Sequence, residues 1–311
     1  MTLLFKPLTE GVGYVEIPDS GGFSSVFVVG SVRDAILVDT YTAATASDVI
    51  AALEAAGVRP GAVRALIATH GHSDHCGGAA ALARWSGAPV WAHLSTALQI
   101  EDPWGYFTTP NAWVANTRAG DWENFQASAG EAVRVSRILR EGDAVEIGGM
   151  RFEVLHLPGH DRGEIALWEP SRRLIFTGDL IQGGMDASKN WLGLFTDAAS
   201  QRRSLERVAA LRPAWNFKGH RVARSGEDAQ KDIDCALARM DSIERALLDA
   251  LRGQPPASLS RLTREVFRRV LNMEVEDPAN YALVSVNAFL LDLARRGLVC
   301  RTSELEWAAG I

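Results

Sequence analysis

The segment THGHSDHCGG (69–78) packs His70, His72, Asp74 and His75 into six residues, in a chain that has only seven histidines. It follows directly on the apolar run ALIAT (65–69), which predicts a buried strand with the first histidine at its end. Imidazoles and a carboxylate gathered there gain little from one another unless a cation pairs with them. These are the donors that suit zinc and related divalent ions. A chain with this feature needs a rigid sheet to hold the loop. The Gly77–Gly78 pair lets the backbone turn out of the cluster into a helix. A polar turn with incidental histidines is the bland alternative.

Three downstream segments weigh against that alternative: HLPGHDRGE (156–164), FTGDL (176–180) and FKGH (217–220). Each places one further donor, His160, Asp179 or His220, beside glycine at the end of an apolar run. Ligands carried on loops at strand ends are how a metal site is assembled from distant parts of a sequence.

The remaining pattern supplies such strands. GYVEI, SSVFVVG and DAILVDT read as consecutive antiparallel strands separated by turn residues. Helical spacing runs from about 44 to 56, and again over 77–85 and 199–211. APVWAH (88–93), AVEIG (144–148), RFEVLHL (151–157), IALWE (165–169) and RLIFTGD (173–179) are further strand candidates. Between about 95 and 140 the period is lost. Trp104, Tyr106, Phe107, Trp113, Trp122 and Phe125 lie there among polar residues, which suggests an insertion with helical pieces. Past residue 226 the character turns helical, so the domains are expected at 1–226 and 227–311.

Together the quoted motifs resemble the metallo-β-lactamase superfamily over about residues 1–225. The resemblance implies an α/β (α+β) fold, a four-layer αββα sandwich, here followed by a small, mostly helical domain similar to a winged helix. It implies a first metal held by His70, His72 and His160 and a second held by Asp74, His75 and His220, with Asp179 bridging. Asp39, in AILVDT, matches the early strand-end aspartate that supports the ligands from behind. Asp74 and Asp179 are then the carboxylates with a catalytic role. Two divalent ions, two ligating carboxylates and a metal-bridging hydroxide leave a net charge of about +1, suited to a developing oxyanion. Zinc is the expected metal, with manganese or iron as the other candidates. An oxygen-reducing diiron relative would carry Glu in the second-metal cluster, so Asp74-His75 favours hydrolysis. Two departures stand out. Asp161 follows His160 where the family usually has Ser or Thr. The bridging position holds Asp179 rather than the Cys of many antibiotic-cleaving members, so lactamase activity is not expected.

Other residues take plainer readings. His156 precedes His160 by four in a strand, a spacing that does not bring both to one metal, and His93 ends another strand; both are expected to be structural. Cys76 reads as a small buried residue. The aromatic insertion is either core or a hydrophobic lid. In the lid reading Trp104, Trp113, Asn190 and Trp191 contact substrate, with Lys189 and Phe195 nearby.

Composition bounds the function. The 311 residues are 47% apolar and 23% charged, and 32 basic against 38 acidic side chains give a net charge of −6, which disfavours broad binding of nucleic acid. The three cysteines are too scattered for a disulfide framework, and no leader or membrane span is visible, so a cytoplasmic protein is expected. The expected activity is hydrolysis of a small-molecule acyl bond, an ester, lactone or thioester, with an apolar or aromatic substrate group. The alternative is a metal-dependent ribonuclease of the winged-helix-bearing type. A homo-oligomer stays open.

Overall fold

Alternating side chains along β-strands point to opposite faces, and in this chain both faces are apolar. The computed structural model describes residues 3–19, 22–108, 122–182, 184–185, 191–221, 223–303 and 306–310. By their contacts they form two units: Met1–Leu157, Arg162–Asp179 and Pro213–Ser225, and then Pro158–Asp161, Leu180–Arg212 and Gly226–Ile311.

In the first unit, β1 (Leu4–Thr9), β2 (Val12–Asp19), β3 (Gly22–Ser31), β4 (Asp34–Val38), β5 (Val63–Ala68), β6 (Val90–His93) and β7 (Val135–Leu139) form one sheet in that order. β1 to β4 pair antiparallel, and β4 to β7 pair parallel. A second sheet runs in the order β13-β12-β11-β10-β9-β8, from β8 (Ala144–Ile147), β9 (Met150–His156), β10 (Ile165–Glu169), β11 (Leu174–Gly178), β12 (Trp215–Lys218) and β13 (Arg224–Ser225).

Period-two alternation sorts the first sheet's residues into two cores. Val15, Ile17, Val26, Leu37 and Leu66 pack with Val49 and Leu53 of helix Ala46–Ala55 and Leu82 of helix Ala79–Ser86. Their alternates Tyr14, Phe27, Val29, Ile36 and Ile67 pack with Phe152, Val154, Phe176 and Phe217 of the second sheet. Phe176 stacks on Phe217 with centroids 4.6 Å apart, and Phe27 meets Phe176 edge-on at 5.2 Å. Each such buried side chain is worth about 1.5–3 kcal/mol relative to exposure.

Two strands of the first sheet were not expected. β1 precedes the first anticipated strand, and β7 lies inside the stretch read as an insertion. β7 pairs with β6 along Val90↔Val135 to His93↔Leu139, so 135–139 is sheet, not insertion. Its polar Ser136 and Arg137 hide the strand period, because only Val135 and Leu139 are buried. Helices Leu94–Glu101, Pro103–Phe107 and Trp122–Ala129 occupy the earlier part of that stretch.

The second unit contains helices Ala198–Leu211, Glu227–Leu251, Leu259–Val266 and Asn280–Arg295, with β14 (Ala257–Ser258), β15 (Val299–Arg301) and β16 (Glu306–Ala309) in the order β14-β16-β15. Helix Glu227–Leu251 buries Ile233, Ala236, Met240, Ile243 and Leu247, the three-and-four spacing of an amphipathic helix. Among the described residues, no helix is long and apolar enough to cross a membrane.

Candidate metal centre

β5 ends at Ala68, and the chain leaves the sheet through 69–72 into the single turn Ser73–Cys76. The exit is fixed from β4. Asp39 follows that strand with φ +62°, a left-handed conformation that Asp tolerates better than most residues. Its buried carboxylate accepts from the Thr69 amide at 2.8 Å and from Thr69 Oγ1 at 2.9 Å. Its other oxygen lies 2.9 Å from His75 Nδ1.

Asp39 sets the tautomer of His75. An ionised carboxylate only accepts, so Nδ1 carries the proton and Nε2 presents a lone pair. His220 is positioned by Ser24, whose Oγ lies 2.8 Å from its Nδ1; a hydroxyl can donate or accept, so this contact orients the ring without fixing its tautomer. The two Nε2 atoms face each other at 3.3 Å. Asp179 reaches both, with Oδ1 3.4 Å from His75 Nε2 and Oδ2 3.4 Å from His220 Nε2. Asp74 Oδ2 is 3.2 Å from His220 Nε2. Donor atoms of Asp74, His75 and His220 all lie within 4.8 Å of one another, as do those of His70, His75 and Asp179.

The Asp74 and Asp179 carboxylates and the His75 Nε2 lone pair, brought together in this way, repel unless a cation sits among them. The cation can be a proton. Against burial, Asp179, Asp39 and Asp74 hold His75 well above the usual imidazole range, while His220 and His75 hold Asp179 well below that of a carboxylate. A divalent ion meets the same demand with neutral imidazoles, so the donor set fits a metal.

On the other side of the loop His70 is fully buried, with Nε2 3.0 Å from His72 Nδ1 and Nδ1 3.2 Å from Thr69 Oγ1. Burial pushes His72 down, which keeps its ring neutral. His160 lies on the turn between β9 and β10 and groups by its contacts with the second unit. There its Nδ1 lies 3.0 Å from the Leu194 carbonyl and 2.8 Å from the Gln182 side-chain nitrogen, which together hold the ring.

Glycine is required beside the cluster. A Cβ on Gly219 would collide with the His75 ring and come 3.0 Å from Asp179 Oδ1. Gly219 is pinned to both sheets, its carbonyl accepting from the Ser25 amide and its amide donating to the Gly178 carbonyl, each at 2.9 Å.

Three residues went unnoticed in the sequence: Thr69, Ser24 and Glu164. Glu164 is fully buried, accepts from the Asp179 amide at 2.7 Å, and has Oε1 3.9 Å from His70 Nδ1. A glutamate directly before the apolar strand β10 was the available signal. His93 and His156 stand apart from the cluster: they stack with centroids 4.4 Å apart, His93 capping a helix through Ser95 and His156 bonding the Arg162 carbonyl. Cys76 is buried.

Of the four residues expected to touch substrate, Trp113 and Asn190 lie outside the described residues, as does Lys189. Trp104 is 55% exposed and stacks on Phe107. Trp191, in the second unit, is 36% exposed and stacks on Tyr281 at 4.1 Å.

The sequence model of the metallo-beta-lactamase superfamily matches residues 19–220. The chain belongs to that superfamily. It is 30% identical over 191 residues to acyl-coenzyme A thioesterase MBLAC2 of Gallus gallus, a match covering 58% of this chain and 66% of that protein. It is 31% identical over 125 residues to hydroxyacylglutathione hydrolase GloC of Haemophilus influenzae, covering 40% of this chain and 52% of that one. The chain thus spans just under two thirds and about half of these relatives' lengths. A metallo-beta-lactamase family protein from Thermus thermophilus superposes with a TM-score of 0.73 at 20% identity, over 97% of this chain and 100% of its own. That likeness places the fold in the superfamily's α/β class.

Proposed function

We propose that this chain is a dinuclear metal-dependent hydrolase of a small-molecule acyl bond, with thioesters the first class to test. The observation that supports it most is the convergence of Nε2 of His75 and His220 with the carboxylates of Asp74 and Asp179, with the His75 lone pair turned into the cluster by Asp39. In this reading His70, His72 and His160 hold one divalent ion, Asp74, His75 and His220 hold the other, and Asp179 bridges. Zinc suits the donors best, and manganese or iron would also fit.

Bound there, the ions supply Lewis-acid polarisation of the scissile carbonyl and a water activated as nucleophile. The protein's own part is to orient. Asp39 and Thr69 hold the strand exit and the His75 ring, Ser24 holds His220, and Glu164 holds the Asp179 backbone. The ester and lactone options remain within the same chemistry. The thioester preference comes from the relatives: acyl-coenzyme A and hydroxyacylglutathione both carry their acyl group on sulfur. An apolar or aromatic acyl group is the expected substrate feature, because aromatic residues gather at 104–125.

Incubating the purified protein with panels of acyl thioesters, lactones, aryl esters and single-stranded RNA tests the proposal. Turnover of acyl substrates that a chelator abolishes supports it. Cleavage of RNA alone would replace it with the ribonuclease reading, and no turnover of any panel by metal-loaded protein would overturn it.

A further inference from the structure

In the second unit the His160 ring is met by two groups of opposite kind. The Leu194 carbonyl, which can only accept, is 3.0 Å from His160 Nδ1. The Gln182 side-chain nitrogen, which can only donate, is 2.8 Å from the same atom. A neutral ring nitrogen carries either a proton or a lone pair, so Nδ1 can bond one of the two and not both.

Neither group can turn away. The Gln182 amide is oriented by its oxygen, which accepts from the Leu194 amide; flipped, it would set two donors against each other. The Leu194 peptide is held on both sides by the buried Ser285, whose Oγ lies 2.9 Å from the Gly193 carbonyl and accepts from the Phe195 amide at 3.0 Å. The His160 turn is pinned as well, the Gly159 carbonyl accepting from the Thr196 amide at 2.8 Å. Gln182 and His160 are both buried, so one hydrogen bond has to be given up in the interior. An orphaned buried N–H is rarer than an under-bonded carbonyl, and the Gln182 contact is the shorter. Without a cation, Nδ1 therefore accepts from Gln182 and the ring proton sits on Nε2.

We infer that Gln182 is a positioning residue that works against metal binding: it holds His160 in the tautomer whose Nε2 has no lone pair to give, while the Leu194 carbonyl supports the tautomer that ligates. The inference rests on the reading of His160 as a ligand of the first ion. On binding, one proton leaves Nε2 for solvent as another arrives at Nδ1, so the ring's proton count is unchanged and the Gln182 bond is exchanged for the Leu194 bond. The ion held by His160 is then bound less tightly, and exchanges more readily, than its donor set alone would allow.

Two readouts on the full-length protein test this. Long-range nitrogen–proton NMR of chelator-stripped protein at about pH 8, where an ordinary imidazole is neutral, should show the His160 ring protonated on Nε2. Zinc is then titrated against a competing chelator, with occupancy followed on the His160 ring signals. Gln182→Glu should bind it at least about tenfold more tightly. Its carboxylate accepts from both the Leu194 amide and a protonated Nδ1, which fixes the ligating tautomer. If Gln182 served only to hold the fold, a buried charge in its place would weaken zinc binding instead. Unchanged or weaker zinc binding by a folded Gln182→Glu would therefore overturn the inference. So would a proton on Nδ1 in the unaltered, stripped protein, a result that needs no variant to fold. Zinc that binds without perturbing the His160 ring would remove His160 from the ligand set and the inference with it, whereas protein that takes up no zinc or other divalent ion would overturn the metal reading as a whole.

Discussion

Glu164 places a buried carboxylate 2.7 Å from the amide of Asp179, the carboxylate proposed to bridge. Glu164→Gln keeps an oxygen to accept that amide, so the fold and the placement of the Asp179 backbone should be retained. Glu164→Leu leaves the amide unpaired in the interior, which should cost about 1–3 kcal/mol in denaturant unfolding. Equal stability of the two variants would remove the positioning role. The His75–Asp179 pair makes a second prediction, for protein stripped by a chelator. His75 is raised above its ordinary 6.5, so its contribution is fully present below that value and is lost as pH climbs through the raised one. Asp179 is lowered from 3.8, so its contribution is present above that value and is lost only as pH falls through the lowered one. The loaded protein needs His75 neutral and loses metal towards acid. Thermal midpoints between about pH 6 and 9 should fall towards alkali without metal and hold or rise with it. Parallel curves would contradict the account. At this scale the histidines and carboxylates were legible because they cluster beside glycines. Thr69, Ser24 and Glu164 were not, because their roles depend on distances such as the 2.8 Å from Ser24 to His220, across 196 residues of chain.

The elements between β6 and β7 show where local pattern fails. β2 to β4 were readable because turn residues separate strands whose residues alternate between two apolar cores. Helix Glu227–Leu251 was readable from its spacing. β7 was not, since a strand buried only at its two ends leaves no period to see. The aromatic residues there divide by burial. Phe125 is buried and packs on Phe107 at 5.0 Å, so Phe125→Ala should cost about 3–5 kcal/mol. Trp104 is exposed, and Trp104→Ala should change stability by no more than about 0.5 kcal/mol. If Trp104 contacts the substrate's apolar group, kcat/KM falls more for bulky acyl groups than for small ones. An unchanged substrate-size profile would assign Trp104 no part in specificity.

Taken whole, the molecule divides less simply than its sequence. Composition shifts near residue 226, whereas contacts also set 158–161 and 180–212 with the C-terminal residues. A change of character along the chain is a local property, and a contact is not, so a linear reading finds one border where the fold has several. The proposed donors escape that limitation because each segment that carries them is marked locally, at the end of its own apolar run. Of the seven donors, Asp179 is the sharpest single-residue probe: Asp179→Asn weakens the proposed bridge and should lower kcat by at least about 10²-fold. The most direct test of the central claim is the metal content of purified, active, full-length protein. Elemental analysis should find about two divalent transition-metal ions per chain. Active protein that holds no transition metal would contradict the account.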